Sequence, residues 1–183
     1  AGVDVGARVR QERRSEIAHD RTYQAVQEKL FELGRLGQKT GRGSYVYEGR
    51  TLVEDPEIVK ISSDLADLHG VTRREIDDQE IIERCLFPLI NEGFLLLEEG
   101  IATRPGDCDL IWVNGYGFPN WRGGPMHYAD EIGLNQILER MNHYRQSLGA
   151  YGEMWFTPAP LLEELATSGV TLAAHFDAKK EKS

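Results

Sequence analysis

Apolar residues recur every three to four positions along most of this chain, and that helical period holds over residues 5–34, 55–70, 77–99 and 133–148. In the first segment Tyr23, Val26, Leu30 and Leu33 share one side, after an interruption near His19 and Asp20 where Asp20 can cap a second helix. Gly34, Gly37, Gly41 and Gly43 end that helix and permit a tight path, and Tyr45 to Tyr47 then run extended. Asp55-Pro56-Glu57 starts the next helix: an N-cap, a proline at the first helical position and an acid at the positive end of the dipole. It should stop near Gly70. Thr72 and Glu75 form a capping-box pattern. Ile81, Ile82, Cys85, Leu86, Leu89, Ile90, Phe94 and Leu97 then mark the longest helix, which Pro88 should bend or pack closely.

Thr103 to Asp107 opens a further helix through Asp109, Leu110 and Trp112, which runs into the glycine-rich stretch Asn114 to Gly124. A short turn from Pro125 to Asp130 precedes the helix at 133–148. Thr157-Pro158 introduces Leu161 to Ala166, and the charged residues 179–183 should fray. Only Tyr45 to Glu48 reads as strand, so the pattern predicts an all-α fold with at most a short β-ribbon. Slid against itself by about 131 residues, the chain also shows a faint repeat. Gly2-Val3-Asp4 falls on Gly133-Leu134-Asn135, Leu30 and Leu33 on Leu162 and Leu165, Gly37 on Gly169, and Tyr45 on Phe176.

Composition narrows the function classes. With 183 residues, 40% hydrophobic and 28% charged, the chain can bury one core or two small ones. A net charge of −9 leaves no basic surplus for a phosphate backbone, so nucleic acid is not an expected partner. Cys85 and Cys108 lack C-x-x-C spacing, which argues against disulfides or zinc and for a reducing compartment, taken here as cytoplasmic. No apolar run reaches the roughly 18–20 residues of a membrane span. The five histidines show neither H-x-x-x-H nor H-E-x-x-H spacing, so no metal site is expected. Glu98, Glu99, Asp107 and Asp109 sit where acids are solvated or cap helices. No serine stands in G-x-S-x-G, and no strand-G-x-G-x-x-G-helix unit is present.

Two stretches carry a family resemblance. Gly34 to Tyr47, GRLGQKTGRGSYVY, resembles the closing signature of the C-terminal domain of 3-hydroxyacyl-CoA dehydrogenases, with Ser44 where that family has an aromatic residue. Asn91 to Asp130, with NEG, LEEGIATRPGDCD, VNGYGFP and WRGGPMHYAD, resembles the last repeat of multifunctional proteins that join an enoyl-CoA hydratase to this dehydrogenase. The resemblance implies a duplicated helical domain whose first copy is truncated. Residues 1–54 would be the remnant of the first copy, 55–76 a helical linker and 77–183 the second copy.

It also implies a parent enzyme of fatty-acid β-oxidation that oxidises 3-hydroxyacyl-CoA with NAD, while this chain holds no cofactor and no catalytic residue of its own. The family's asparagine, in an N-R pair at the start of the first long helix, corresponds here to Glu83 in Glu83-Arg84. The expected partners are upstream Rossmann and hydratase domains, acyl-CoA through the parent, and a further copy of the chain by self-association. Arg35, Lys39 and Arg42 are the weak candidates for a CoA phosphate. Gly115, Gly117, Phe118, Trp121, Gly123, Gly124 and Pro125 form a structural loop whose aromatics should fix it on the core. The competing reading is a stand-alone helical interaction module without an enzymatic role.

Overall fold

The computed structural model describes residues 2–13 and 22–180. The chain divides into two compact units, Ala1–Glu75 and Ile76–Ser183. The architecture is all-α, with one two-stranded antiparallel ribbon among the described residues.

In the first unit, α1 (Val3–Glu12) packs on α2 (Ala25–Glu32), which packs in turn on α3 (Pro56–Leu68). Ala7, Leu30 and Ile61 are its buried apolar residues. The predicted stripe on α2 is narrower than its sequence spacing suggests, because Leu30 is fully buried while Leu33 at the helix end is 49% exposed. The predicted interruption at His19 and Asp20 lies outside the described residues. The helix stops where Gly34 takes a left-handed φ of 69° and the Arg35 N–H donates back to the Leu30 carbonyl at 2.9 Å, satisfying a carbonyl the helix end would orphan. The Gly34–Ser44 path then folds back so tightly that a Cβ on Gly43 would lie 2.9 Å from the Gly37 Cα. It delivers the chain into β1 (Val46–Glu48), paired with β2 (Thr51–Val53) with Tyr47 opposite Leu52. Asp55 caps α3 by accepting from the Glu57 N–H at 3.1 Å, as its sequence predicts.

The second unit is built around α4 (Asp78–Glu98), at 21 residues the longest of the described helices. Its start is capped by Asp77, which accepts from the Glu80 N–H at 2.7 Å, and not by the predicted Thr72–Glu75 box. Phe87, Ile90, Phe94 and Leu97 line its buried face, and the helix continues through Pro88. Ile81 and Ile82, expected on the stripe, are 49% and 45% exposed. Around α4 lie α5 (Pro105–Gly115), α6 (Pro125–Ile132), α7 (Leu134–Ser147), α8 (Gly149–Trp155), α9 (Pro160–Ser168) and α10 (Leu172–Lys180). Met126 and Ala129 of α6, Ile137, Met141 and Tyr144 of α7, Phe156, and Leu162 and Leu165 of α9 complete the core.

Pro125 to Asp130 is a full helix and not a turn. The backbone of Lys179 and Lys180 continues α10, while 181–183 of the tail expected to fray lie outside the described residues. The seven-residue α8 has no counterpart in the sequence pattern. Among the described residues no helix is long and apolar enough to cross a membrane.

Candidate functional site

The candidate phosphate ligands of the first unit are engaged by carboxylates. Arg35 is buried, donating from Nε and Nη2 to the Gly43 carbonyl at 3.1 and 2.9 Å and from Nη1 to Glu57 at 2.8 Å. Its Nη2 also meets Asp55 Oδ2 at 2.5 Å, and Arg42 donates to the same oxygen from 3.0 Å. The fork of a guanidinium suits this position because it spans two carboxylates and a carbonyl in one plane. Burial pushes the Asp55 carboxyl up, but Arg35, the Glu57 N–H and Arg42 together outweigh it and hold the group below the usual carboxylate range. Lys39 pairs with Asp4 at 2.6 Å. The three cations therefore staple the glycine path to α1 and to the start of α3.

The glycine path does not fit a dinucleotide. Gly37 (φ 107°) and Gly41 (φ 72°) follow a helix and lead into a strand of the ribbon. A pyrophosphate cradle needs a strand before its glycines and a helix N-terminus after them.

In the second unit, side chains of one helix repeatedly cap the N-terminus of another. Asp109 of α5 is buried and accepts from the Met126 and His127 N–H groups of α6 at 2.7 and 3.2 Å. Asp130 of α6 accepts from Leu172 and Ala173 of α10 at 2.8 and 3.0 Å. Asn91 of α4 accepts from the Ala159 N–H at 2.7 Å and donates to the Thr157 carbonyl at 3.0 Å, while Glu98 accepts from the Leu161 N–H of α9 at 2.8 Å. Apart from the Asn91 bond to the Thr157 carbonyl, each of these satisfies a backbone donor at a helix start and places an acid or amide against the positive dipole end. Burial pushes the Asp109 carboxyl up, and the two N–H donors offset that only in part.

This scheme explains the motif residues. In NEG, Asn91 is the cap and Gly93 makes room for Met126, whose Sδ would stand 2.3 Å from a Cβ there. In WRGGP, Gly124 holds a φ of 122° against Asp109, and a Cβ would meet the Asp109 Cβ and Oδ1 at 2.4 Å; Pro125 is buried as the first residue of α6. Gly117 and Gly123 take left-handed φ of 74° and 75°, while Gly115 ends α5. Phe118 is half-buried against Tyr128 at 6.5 Å. Trp121 corrects the expected loop: it is 74% exposed and does not pack on the core. Arg122 instead lies 4.4 Å from the ring centres of both Trp121 and Tyr128, a cation–π arrangement at the surface. His127 is exposed on α6, 3.9 Å from Glu131.

The remaining buried charge is Glu83. Its Oε2 accepts from Arg140 Nε at 2.6 Å and from the Tyr144 hydroxyl at 2.5 Å, and its Oε1 from Gln79 at 2.9 Å. Arg140 Nη2 donates to the Tyr144 oxygen at 2.6 Å. Burial pushes the Glu83 carboxyl up, but the hydrogen bonds from Tyr144, Gln79 and Arg140 outweigh it and hold the group below the ordinary range. Burial, together with the carboxylate at its hydroxyl, pushes Tyr144 up to about 12. Arg140 and Tyr144 were not singled out from sequence, since nothing local links them to a residue some 60 positions earlier.

The polar side chains described in this unit thus cap helix ends or pair with one another. Residues 81–175 match the family described as 3-hydroxyacyl-CoA dehydrogenase, C-terminal domain, and the chain belongs to that family. It is 42% identical to the peroxisomal bifunctional enzyme of Danio rerio over 92% of this chain and 25% of that protein. Identity to the peroxisomal bifunctional enzyme of Homo sapiens is 40%, over 82% of this chain and 21% of that protein. Identity to the fatty acid oxidation complex subunit alpha of Vibrio campbellii is 33%, over 81% of this chain and 20% of that protein. The chain thus spans about a quarter or less of the length of these relatives. The solved dehydrogenase part of multifunctional enzyme 1 from C. elegans shares the fold with a TM-score of 0.64 and 25% identity, over 89% of this chain and 36% of that one.

Proposed function

We propose that this chain is a non-catalytic helical part of a fatty-acid β-oxidation enzyme that oxidises 3-hydroxyacyl-CoA with NAD and also carries an enoyl-CoA hydratase. Its role is to support the acyl-CoA cleft and the packing of domains or subunits. In this reading the second unit is a complete copy of a duplicated domain and the first unit a remnant of the other, with Rossmann and hydratase domains of the parent as partners. The names of the eukaryotic relatives favour a peroxisomal address for the parent over the cytoplasmic one that composition suggests.

The observation that carries the reading is Glu83. Where the resemblance calls for an asparagine near substrate, the chain holds a buried carboxylate engaged by three side-chain donors, Arg140, Tyr144 and Gln79. Three of its roughly four acceptor positions are taken and the group is 3% exposed, so it is committed to holding α4 on α7 and not to a reacting hydroxyl. In the parent enzyme, Glu83→Gln should lower stability while leaving kcat per folded molecule unchanged. A tenfold or greater fall in kcat at an unchanged unfolding midpoint would assign Glu83 to the chemistry instead.

A further inference from the structure

Between α4, α5 and α6 of the second unit lies an apolar cleft of about 410 Å³, a volume within the range of small-molecule sites, about 300–1,000 Å³. None of the capping or pairing described above uses it. One wall is the stripe Leu89, Gly93 and Leu96, at i, i+4 and i+7 on one face of α4, which runs about 10 Å along the helix. The opposite wall is set by Ile111 and Trp112 of α5. The buried Met126 thioether fills the place of the side chain that Gly93 lacks, giving a soft and polarisable floor. At the mouth Ile101, Ile111 and Tyr116 are 69%, 60% and 71% exposed. Leaving three large apolar side chains in water around one cleft is costly unless something covers them.

Charge selects among occupants. The cleft is lined by two carboxylates, Glu92 and Asp107, and by no lysine, arginine or histidine. Asp107 is already held by Arg104 at 2.6 Å and by the Thr103 hydroxyl at 3.0 Å. A carboxylate or phosphate head group would therefore meet like charge, and the donors at hand, the Trp112 indole N–H and the Tyr116 hydroxyl, are uncharged. What the walls offer is apolar area along a narrow line.

We propose that this cleft binds an uncharged linear alkyl or acyl chain, lying between α4 and α5 with its head group in solvent. The proposal stands apart from the catalytic status of the chain. Of the three tryptophans, only Trp112 lines the cleft, so a bromine carried on the ligand reports contact by quenching it.

The chain is titrated with 11-bromo-1-undecanol while tryptophan fluorescence is read. The expected result is saturable quenching that disappears in Trp112→Phe and whose half-saturation rises about tenfold or more in Ile111→Asp, which sets a charge against the bound chain. Because Ile111 is exposed, the unfolding midpoint of that variant should stay at the wild-type value. The anionic 11-bromoundecanoate should bind more weakly than the alcohol. Quenching that does not saturate, that persists in Trp112→Phe, or that is unmoved by Ile111→Asp overturns the site. Tighter binding of the carboxylate overturns the assignment of an uncharged ligand.

Discussion

Arg140 on α7 reaches Glu83 on α4 at 2.6 Å, and the carboxylate it meets is 3% exposed. Removing the carboxylate charge leaves Arg140 without its partner, but that side chain is 35% exposed, so water compensates it in part. Glu83→Gln should destabilise the chain by about 1–3 kcal/mol. Tyr144→Phe, which removes one hydrogen bond to the carboxylate, should cost about 1.5–3 kcal/mol. Urea unfolding monitored by circular dichroism measures both.

Glu83 and Asp109 should respond to pH in opposite senses. The folded value of Glu83 lies below its ordinary 4.5, so its contribution is fully present above 4.5 and is lost as pH falls through the folded value. The deficit of Glu83→Gln should therefore shrink in acid. The folded value of Asp109 lies above its ordinary 3.8, so its contribution is fully present below 3.8 and is lost as pH rises through the folded value. Asp109→Asn keeps an oxygen for the Met126 N–H and should gain on the wild type as pH rises. Unfolding free energies of both variants from pH 3 to 7 test the two slopes.

Gly93 and Gly124 are both crowded, but by neighbours of different stiffness. Gly93→Ala pushes on the flexible Met126 and should cost about 1–3 kcal/mol, and less when Met126 is first shortened to Ala. Gly124→Ala meets Asp109 close to its backbone and adds strain at a φ of 122°, so about 3–5 kcal/mol is expected. Thermal and urea unfolding of the single and double variants give the comparison.

Trp121→Ala, despite removing the largest side chain of the glycine-rich stretch, should change stability by no more than about 1 kcal/mol, since only a surface cation–π contact is lost. A loss of several kcal/mol would show that the ring is buried in solution.

The legible parts of the fold are those encoded locally. Asp55-Pro56-Glu57 announces α3 because cap, proline and acid act within one turn. The apolar period of α4 was equally plain, but its start was not: Thr72–Glu75 and Asp77–Glu80 have the same local form, and only the second is followed by helix. The capping of α9 by Asn91 and of α10 by Asp130 joins residues 68 and 42 positions apart, a pairing that no local pattern carries. The burial of Arg35 was missed for the same reason, since its carboxylates arrive 20 and 22 residues later. Trp121 misled because a large aromatic among glycines reads as core, whereas here its partner is the neighbouring Arg122.

The proposed supporting role, without turnover by this chain, is tested most directly by incubating the purified chain with NAD and a short-chain 3-hydroxyacyl-CoA and following NADH by absorbance, with NAD binding read in parallel by calorimetry. The expected result is no NADH above the enzyme-free rate and no heat of NAD binding in the micromolar range. Sustained turnover, or a micromolar dissociation constant for NAD, would contradict it.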